Sequence, residues 1–288
     1  MADRAVPGAA EATGALAAER HPLGRGTGAR QHAGAGGRSR SQHDAAGGTQ
    51  RPRSVGGSAA LAGLSVVIPA LNEASTLPLL LADLATWPGD LEILVVDGGS
   101  GDATAAVTRI GGAGLLRSPV AGRGQQLRWG AAQAHGPWLL VLHADSRLPV
   151  GWVDAVTAVL ERPDAERQAW YFDFRVSEQR PMLRLLEAAV AWRSRWRQRP
   201  YGDQGLLIHR SLYSTVGGYQ PIPLMEDLDL VQRISAQTRL RRIGHPLITS
   251  GRRWRRQGVL HLAWRNALLR RRWARGASAD GLARDYRL

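Results

Sequence analysis

The chain has 288 residues, of which 44% are hydrophobic, and this length suits one large domain or two small ones. It contains no cysteine, which excludes disulfides, thiolate metal sites and thiol nucleophiles. No apolar run reaches the length of about 18 residues that predicts a membrane-spanning helix. The start lacks the apolar segment of a secretory signal. We therefore expect a cytoplasmic protein with a sizeable core.

The formal net charge is +14, and it is spread unevenly along a chain whose basic residues are all arginine. Residues 1–62 carry 8 arginines against 4 acidic residues, residues 63–174 carry 7 against 12, and residues 175–288 carry 23 against 8. The basic C-terminal part suits an anionic partner. A nucleotide diphosphate, an anionic membrane and a nucleic acid are the candidates.

Residues 1–62 are rich in Ala, Gly, Arg, Ser, His and Gln and contain almost no large apolar residue. Such a segment cannot bury enough surface to offset the entropy that it would lose on ordering. It predicts a disordered extension, or a start site placed too far upstream. A basic arm for nucleic acid is the alternative. No aromatic residue is present there to stack on bases, so no nucleic-acid partner is expected.

From Leu64 onwards, short apolar runs alternate with stretches of helical periodicity. The predicted strands are 64–68, 91–96, 114–117 and 138–142, and the helices between them start near Asn72, Thr104 and Gly122. This alternation predicts an α/β fold with right-handed crossovers and a mainly parallel sheet. The run 138–142 is flanked by Gly-Pro and by a polar break, which is typical of a strand buried on both faces.

After Pro149 the alternation is less regular. The predicted helices are 150–160, 181–197, one that begins within 224–230, and the basic, tryptophan-containing 259–275. The predicted strands are 169–176, 206–209, 239–243 and 247–249, and a turn-rich loop at 201–205 precedes the second of them.

Four acidic residues follow predicted strands or open predicted helices: Glu73, Asp97, Asp145 and Asp227. Ligands of open parallel sheets bind beyond the carboxyl ends of the strands. Asp145 follows the strand at 138–142, where a carboxylate can hold a hard cation against phosphate oxygens. The alternative is that Asp145 caps the helix that begins near Pro149.

Two further stretches indicate a nucleotide site less specifically. Asp97 precedes Gly98 and Gly99, whose missing side chains let a ligand approach the backbone. An acid at this place commonly accepts a ribose hydroxyl, and the alternative is a turn aspartate that binds its own backbone. The stretch 122–124, Gly-Arg-Gly, is neither a Walker A nor a G-x-G-x-x-G motif. It is compatible with a phosphate-cradling loop and with an ordinary helix start.

Taken in order, these stretches resemble the family 2 glycosyltransferases, nucleotide-sugar-dependent enzymes of the GT-A fold, over roughly residues 63–256. The motifs that carry the resemblance are Ser65–Glu73, Glu92–Asp102, His143-Ala-Asp145, Met225-Glu-Asp227 and Ser250-Gly-Arg-Arg-Trp254. The resemblance implies a GT-A, Rossmann-like and mainly parallel sheet flanked by helices. The ordered set is specific, whereas no single motif is.

The resemblance also implies roles for particular residues. Asp97 would hold the nucleotide, Asp145 lies at the place of the D-x-D metal motif, and Asp227 would be the catalytic base. The donor-nucleotide set is Pro69, Asn72, Glu73, Asp97, Arg123 and Arg253. The acceptor and sugar set is Asp203, Gln204, Glu226 and Trp254. His143 stands where many members have aspartate, so it is left out of the predicted metal site.

The acceptor set has structural alternatives. For Glu226 the alternative, an acid that satisfies backbone N–H groups at a helix start, is favoured over a direct role. Asp203 and Gln204 can form a turn, and Trp254 can be a core aromatic rather than a sugar platform. The side-chain types alone do not decide between these roles.

A narrower resemblance is to a bacterial subgroup of short family 2 enzymes, which is associated with radical-SAM and selenium-domain genes and with arsenosugar biosynthesis. It is carried by Leu142–Pro149, Tyr201–Gly205, Pro223–Asp227 and the segment Arg252-Arg253-Trp254. The acceptors of that subgroup are poorly established, so the resemblance implies a reaction type rather than a substrate.

The implied chemistry needs these residue types. A departing nucleoside diphosphate gains negative charge, which a divalent cation (Mn²⁺ or Mg²⁺) on Asp145 and hydrogen bonds from Arg253, with Arg252 beside it, would offset. The acceptor hydroxyl, on a small or lipid-linked molecule, needs a base, and Asp227 would contribute about 10²–10⁴-fold. Direct displacement with a single base predicts inversion at the anomeric carbon. A retaining double displacement would need a second, nucleophilic carboxylate.

Two other functions are compatible with parts of the sequence. A nucleotidyltransferase shares the broad fold and metal dependence, but it usually has a Gly-rich basic loop where this chain has Pro69–Glu73. A protein that binds RNA or an anionic membrane surface is the other, because helices 181–197 and 259–275 mix Trp, Leu and Arg. Packed helices with arginines that snorkel to solvent would explain the same pattern.

The predicted organisation is therefore a disordered extension at 1–62, a GT-A domain at 63–256 and a basic amphipathic helical segment at 257–288. A cytoplasmic location is expected, and peripheral association with an anionic membrane, at the inner face of the cell membrane, is the alternative that the basic segment leaves open.

Overall fold

The computed structural model describes residues 63–287, so the extension predicted at 1–62 lies outside the described residues. The strands in this part are β1 Leu64–Ala70, β2 Leu91–Asp97, β3 Gly114–Arg117, β4 Trp138–Val141, β5 Ser146–Arg147, β6 Ala169–Val176, β7 Leu206–His209 and β8 Leu240–Thr249. The helices are α1 Leu77–Leu84, α2 Thr104–Ile110, α3 Arg123–Gln133, α4 Trp152–Leu160, α5 Pro181–Arg197, α6 Arg210–Thr215, α7 Glu226–Gln237, α8 Arg252–Gln257, α9 Val259–Ala274 and α10 Ala279–Arg287.

The strands form one eight-stranded sheet in the order β3-β2-β1-β4-β7-β6-β8-β5. Strands β3, β2, β1 and β4 run parallel to one another. Strand β7 is antiparallel to β4 and β6, β8 is parallel to β6, and β5 is antiparallel to β8. The predicted α/β fold with a mainly parallel sheet is confirmed.

Helices cover both faces of the sheet, so the molecule has three layers. Successive residues of β1 point to opposite faces, as the pleat of a strand requires. Val66 packs with α1 and α4, whereas Val67 packs with α3 and α7. Every residue of β4 is buried, which confirms a strand covered on both faces.

Some predicted boundaries are wrong, and each has a local reason. Strand β1 continues through Pro69 to Ala70, and α1 begins at Leu77 rather than Asn72, because backbone groups of the intervening loop bind the loop after β2. The strands predicted at 239–243 and 247–249 are one strand, β8. A bulge interrupts its pairing with β6, and Gly244 in the bulge has φ +83°. The short elements α6, α8, α10 and β5 were not predicted.

No helix of residues 63–287 combines the length and the apolar character needed to cross a membrane.

Candidate active site

The predicted site residues gather at one edge of the sheet. Strands β1 and β2 end together, with Ala70 opposite Asp97, and β4 ends on the same side of β1. Strand β7 begins there, because Leu206 pairs with Val141. The loops after β1, β2 and β4 and the loop before β7 are therefore neighbours. This is the edge at which open α/β sheets bind ligands.

Hydrogen bonds join the loop after β1 to the loop after β2. The N–H of Asn72 donates to Ser100 Oγ at 2.9 Å, and the N–H of Gly101 donates to Asn72 Oδ1 at 2.8 Å. The N–H of Glu73 donates to Thr104 Oγ1 at 2.9 Å. Asn72 has φ +56°, a left-handed conformation that asparagine tolerates better than most residues. Two of the predicted donor residues therefore shape a single rim.

Asp97 is buried at the end of β2 and forms the turn that follows. Its Oδ1 accepts hydrogen bonds from the N–H of Ser100 at 3.0 Å and from Ser100 Oγ at 2.6 Å. This placement shows the turn role that was the alternative to ribose binding. Asp97 and Asn72 both bind Ser100, so the two predicted donor residues belong to one network.

A buried glutamine fixes α3 against the ends of β1 and β2. Gln126 Nε2 donates to the carbonyl oxygens of Ala70 at 2.9 Å and Val96 at 2.7 Å. Gln126 was not among the predicted site residues, since a single glutamine on a helix carries no signal of a long-range contact. The result is that the first residue of α3, Arg123, has a defined position.

Arg123 is the electrostatic centre of the site. Its Nε pairs with Glu226 Oε1, its Nη2 lies 3.7 Å from Asp227 Oδ2, and its Nη1 lies 3.4 Å from His143 Nε2. Burial would lower the pKa of Arg123, but the two acids outweigh it and raise the pKa above its ordinary value. Arg123 therefore stays charged between α3, α7 and the end of β4.

Glycine at position 124 explains how α3 and α7 come so close. A Cβ on Gly124 would collide with the carbonyl oxygen of Ile222 and would lie 3.2 Å from the Cβ of Glu226. The Gly-Arg-Gly stretch thus brings a basic helix start against an acidic one.

Asp227 is held at the start of α7 by two backbone N–H groups. Gly202 donates to Oδ2 at 2.8 Å and Leu228 donates to Oδ1 at 2.8 Å. Burial would raise the pKa of Asp227, but Arg123, these two hydrogen bonds and His143 lower it below its ordinary value. The carboxylate is therefore ionised at neutral pH.

Glu226 differs from its neighbour. Its side chain is fully buried, and Oε2 has no hydrogen-bond partner among the described residues. Burial raises the pKa of Glu226, and the nearby charge of Asp227 adds to the increase, although Arg123 opposes it. Glu226 therefore contacts Arg123 from inside the protein.

The loop before β7 reaches into the site through Gly202. A Cβ there would lie 2.7 Å from His143 Nε2 and 3.0 Å from Asp227 Oδ2, so only glycine fits without displacing them. Gln204 supports the loop from behind: its Oε1 accepts from Ser194 Oγ at 2.7 Å, and its Nε2 donates to the carbonyl of Phe172 at 3.2 Å. Gln204 is 1% exposed, which favours its structural alternative over contact with a sugar.

Asp203 lies beside Gly202 and carries a buried, unsatisfied atom. Its Oδ1 has no hydrogen-bond partner among the described residues. Burial raises the pKa of Asp203, against the opposing charge of Arg193. Asp203 and Glu226 of the predicted acceptor set thus each have one carboxyl oxygen without a partner, and Glu226 pairs with Arg123 through its other oxygen.

Asp145 lies in a tight turn after β4, in which the N–H of Ser146 donates to the carbonyl of His143 at 3.0 Å. Ser146 then pairs with Thr249 at the end of β8. This pairing brings the predicted metal residue beside the turn that leads into α8. The Ser250–Trp254 motif begins in that turn.

The α8 motif reaches the rim formed by the first two loops. Arg252 Nη2 donates to Glu73 Oε2 at 2.9 Å. Arg253 follows in the helix, and its side chain lies outside the described part of the structure. Trp254 is half-buried against the cluster of Phe174, Val176, Leu183 and Val190, which favours its core-aromatic alternative.

A divalent cation fits this edge only as a partner of a phosphate ligand. Residues 63–287 contain no group of three His, Asp or Glu that could hold a metal ion by themselves. A hard cation such as Mg²⁺ often uses one or two carboxylates and takes its other ligands from substrate phosphates and water. Asp145 in its turn meets the first requirement and a diphosphate would meet the second.

Comparisons with known proteins agree with this fold. The sequence model of Glycosyl transferase family 2 matches residues 65–216. An uncharacterized glycosyltransferase of Mycobacterium tuberculosis is 35% identical over 99 residues, which are 34% of this chain and 44% of that protein. A PGL/p-HBAD biosynthesis glycosyltransferase of the same species is 37% identical over 91 residues, 29% of this chain and 36% of that protein. The chain thus spans less than half the length of these curated relatives.

Solved structures share the fold at low sequence identity. The mannosyltransferase PcManGT of Pyrobaculum calidifontis, solved with GDP-Man and Mn2+, has a TM-score of 0.53 and 19% identity over 73% of this chain and 61% of that one. Residues 1–349 of TarS from S. aureus give a TM-score of 0.52 and 15% identity over 66% and 60%. The GT-A-like fold is therefore confirmed. With its family match covering more than half of its residues, the chain belongs to glycosyl transferase family 2.

Proposed function

We propose that this protein is an inverting glycosyltransferase that moves a sugar from a nucleotide-diphosphate sugar to a hydroxyl acceptor, with Asp227 as the catalytic base. The observation that carries the proposal is the placement of Asp227. Its carboxylate is ionised and is oriented by the N–H groups of Gly202 and Leu228. It lies beside Arg123 at the edge of the sheet where open α/β sheets bind their ligands.

In the proposed reaction the acceptor oxygen attacks the anomeric carbon while its proton passes to a carboxylate oxygen of Asp227. The glycosidic bond to the diphosphate breaks on the opposite side, so the anomeric configuration inverts. A positioned base of this kind contributes about 10²–10⁴-fold. Arg123 and the two N–H groups hold the carboxylate in a single orientation, which favours proton transfer along one direction.

The donor would lie across the joined loops after β1 and β2. We assign Pro69, Asn72, Glu73 and Asp97 to the nucleoside end, because these residues lie at or beside that rim. Arg123 and Arg253 would donate to the diphosphate. The side chain of Arg123 is 37% exposed, so its guanidinium is still accessible although two carboxylates flank it.

The proposed cofactor is Mn²⁺ or Mg²⁺, with Asp145 as its protein ligand. When bound, the cation would offset negative charge on the leaving diphosphate. His143 is not needed as a ligand in this proposal, since its Nε2 faces Arg123. It instead contributes to the charge balance around Asp227.

On the acceptor side, Asp203 is the best candidate for a direct contact because its buried Oδ1 has capacity for a hydroxyl donor. Glu226, Gln204 and Trp254 would act indirectly, since Glu226 pairs with Arg123, Gln204 supports the 201–205 loop and Trp254 packs under α8. The acceptor would be a small or lipid-linked molecule.

The narrower subgroup associated with radical-SAM genes and arsenosugar biosynthesis remains part of the proposal, on the strength of the motifs at 142–149, 201–205 and 223–227. We also propose a cytoplasmic enzyme at the inner face of the cell membrane, with the GT-A domain ending near residue 256 and the basic segment beginning at 257. The name of one relative, a PGL/p-HBAD biosynthesis glycosyltransferase, suggests screening lipid-linked acceptors as well as soluble ones.

The decisive test combines donor binding, turnover and product stereochemistry. UDP-, GDP- and TDP-sugars are screened by thermal shift with Mn²⁺, and the donor that binds is used with the wild type and with Asp227→Asn. We expect nearly unchanged donor affinity, a turnover loss of about 10²–10⁴-fold and an inverted anomeric centre by NMR. Equal loss of donor affinity would place Asp227 in the nucleotide site, and a retained configuration would overturn the direct displacement.

A further inference from the structure

We propose that the outer face of α5 and an arginine-lined cavity at its C-terminal end bind the phosphate-bearing surface of an anionic lipid bilayer. The proposal deepens the proposed function and rests on it for the location of the enzyme. Its own basis is a set of exposed side chains and charges away from the catalytic carboxylates. We call the stripe and the cavity together the α5 surface.

The outer face of α5 is apolar, which is unusual for an exposed helix. The face opposite to it holds the buried residues Leu183, Glu187, Val190 and Ser194. The outward residues are Met182, Leu185, Trp192 and Trp196, which are 42%, 66%, 54% and 71% exposed. They fall at i, i+3, i+10 and i+14, so they form one stripe about 21 Å long.

Arginines flank the tryptophans of this stripe. The guanidinium carbon of Arg197 lies 5.2 Å from the ring centre of Trp192, and that of Arg195 lies 5.9 Å from the ring centre of Trp196. Tryptophan with arginine on an otherwise apolar helix face is typical of helices that lie in the membrane interface. There the ring enters the acyl boundary and the cation meets the headgroups.

Trp196 also lines a cavity of about 530 Å³ beside the starts of β6 and β8. Five arginines line the same cavity: Arg162, Arg195, Arg239, Arg241 and Arg242. Strand β6 begins beside the end of β7, with Ala169 opposite Ile208, whereas the candidate active site lies where β7 begins. The cavity is therefore at the other edge of the sheet, and donor binding does not account for it.

Three of the five arginines have no acidic partner to neutralise them, and one of these, Arg241, donates to the neutral side chain of Gln168 at 2.9 Å. Arg242 forms two hydrogen bonds with Asp173, at 2.8 and 2.6 Å, and Arg162 lies 3.4 Å from Asp164. Among the described residues, no carboxylate lies within 4.0 Å of Arg195 or Arg239. Their guanidiniums are available to phosphate oxygens next to the exposed ring of Trp196.

A bilayer fits this combination better than the other candidate occupants. A second copy of the chain would bring five more arginines against these five, which is repulsive. A nucleic acid could stack on Trp192 and Trp196 but would leave Met182 and Leu185 in water. A free phosphate would fill only the cavity. An anionic bilayer accepts the apolar stripe and the cations together.

The inner face of α5 connects this surface to the catalytic loop. Ser194 Oγ donates to Gln204 Oε1 at 2.7 Å, and the guanidinium carbon of Arg193 lies 3.8 Å from the ring centre of Tyr201. Gly202 of that loop holds Asp227. A bilayer on the outer face would thus lie about one helix diameter, ~10 Å, from the loop that orients the base.

Vesicle co-sedimentation of the full chain tests the proposal without any turnover. Vesicles of phosphatidylcholine alone are compared with vesicles that contain about 30 mol% phosphatidylglycerol, at physiological salt. We expect sedimentation with the anionic vesicles and little with the neutral ones. Equal binding to both, or to neither, would overturn the proposal whatever the fate of the proposed catalytic function.

Two double variants locate the contact. Arg195→Gln with Arg239→Gln should weaken vesicle binding about thirtyfold, since each arginine near an anionic surface contributes about fivefold. The charge-matched control, Arg109→Gln with Arg117→Gln, lies on α2 and β3 and should change binding less than about twofold. Equal loss in both pairs would mean a general charge effect and would overturn the assigned cavity.

The stripe is tested by Trp192→Ala with Trp196→Ala, against Trp129→Ala on α3 as the control. The stripe variant should lose binding at least about tenfold while circular dichroism stays unchanged. If it instead converts an oligomer into a monomer with vesicle binding intact, α5 is an interface between copies and the proposal fails. Tighter binding of single-stranded RNA than of vesicles, lost in the same variants, would likewise overturn it.

Discussion

Glu73 and Arg252 are 179 positions apart in the chain, yet Arg252 Nη2 donates to Glu73 Oε2 at 2.9 Å. This pair joins the rim of the candidate nucleotide site to α8. Glu73 Oε2 also accepts from Thr76 Oγ1 at 2.5 Å, so the carboxylate is fixed from both sides. The ion pair is partly exposed, with side-chain exposures of 44% and 24%, so it adds little to global stability.

We therefore predict that Arg252→Gln changes donor binding more than folding. The KM for the nucleotide-sugar should rise several-fold, because the Glu73 carboxylate of the rim is no longer held in place and the proposed diphosphate site loses a cation. The melting temperature should shift by no more than a few degrees. Arg255→Gln is the control. Arg255 lies on the same helix but pairs with Glu178 at 3.1 Å. An unchanged KM in Arg252→Gln, or the same rise in the control, would contradict the assignment.

Gly202→Ala should inactivate the enzyme without unfolding it. The added methyl would lie 2.7 Å from His143 Nε2 and 3.0 Å from Asp227 Oδ2, so His143, the loop or the base must shift. Misplacement of a catalytic group by about 1 Å can cost about 10²-fold in kcat. The measurements are kcat, KM for donor and circular dichroism.

Gly63→Ala provides the matched control, because its methyl would meet only ordinary contacts, the nearest being Pro137 Cδ at 3.5 Å. Turnover in Gly202→Ala that remains within a few-fold of the wild type would show that the base does not depend on this loop.

The parts of this molecule that the sequence predicted are those with strong local periodicity. Helix α5 and strands β3, β6 and β7 have the predicted boundaries, since a repeat of apolar residues at helical spacing marks the helix and short apolar runs mark the strands. The short helices α6 and α8, of six residues each, are too brief for such a pattern.

The site residues were predicted by type but not by contact. Arg123 and Glu226 are 103 positions apart, and nothing in a local pattern indicates that they pair. The sequence signal for these contacts was glycine at positions 124 and 202. At both positions other groups of the site approach the backbone so closely that a Cβ would block them. The same limit applies to Trp254, whose burial follows from the placement of α5 rather than from its own motif.

Metal dependence should be specific to Asp145. Asp145→Asn should lower turnover by at least about 10²-fold and raise the Mn²⁺ concentration needed for half-maximal activity, because an amide is a poorer ligand for a hard cation. Asp154→Asn, an exposed acid in the first turn of α4, should behave as the wild type. Activity of the wild type that survives excess EDTA would show that the assignment of Asp145 to a cation is wrong.

The pH profile should distinguish Asp227 from its neighbour Glu226. Burial would raise the pKa of Asp227, but Arg123 and two backbone N–H groups lower it below its ordinary 3.8. The base therefore stays ionised from pH 8 down to about pH 5, and kcat/KM should show no acidic limb from Asp227 in that window. An acidic limb of the wild-type profile that disappears in Glu226→Gln would instead assign the titration to Glu226, whose pKa burial raises.

The lowered pKa of Asp227 also makes the stability of the fold depend on pH, and linkage between protonation and folding gives the direction of that dependence. Because the folded-state pKa of Asp227 is depressed, its carboxylate stabilises the fold at pH values above the ordinary 3.8, and this contribution is lost as the pH falls through the folded-state value. Thermal melts at pH 7 and pH 3 should therefore differ more for the wild type than for Asp227→Asn. If the melting temperature of Asp227→Asn depends on pH as strongly as that of the wild type, other carboxylates, and not Asp227, are responsible for the loss of stability in acid.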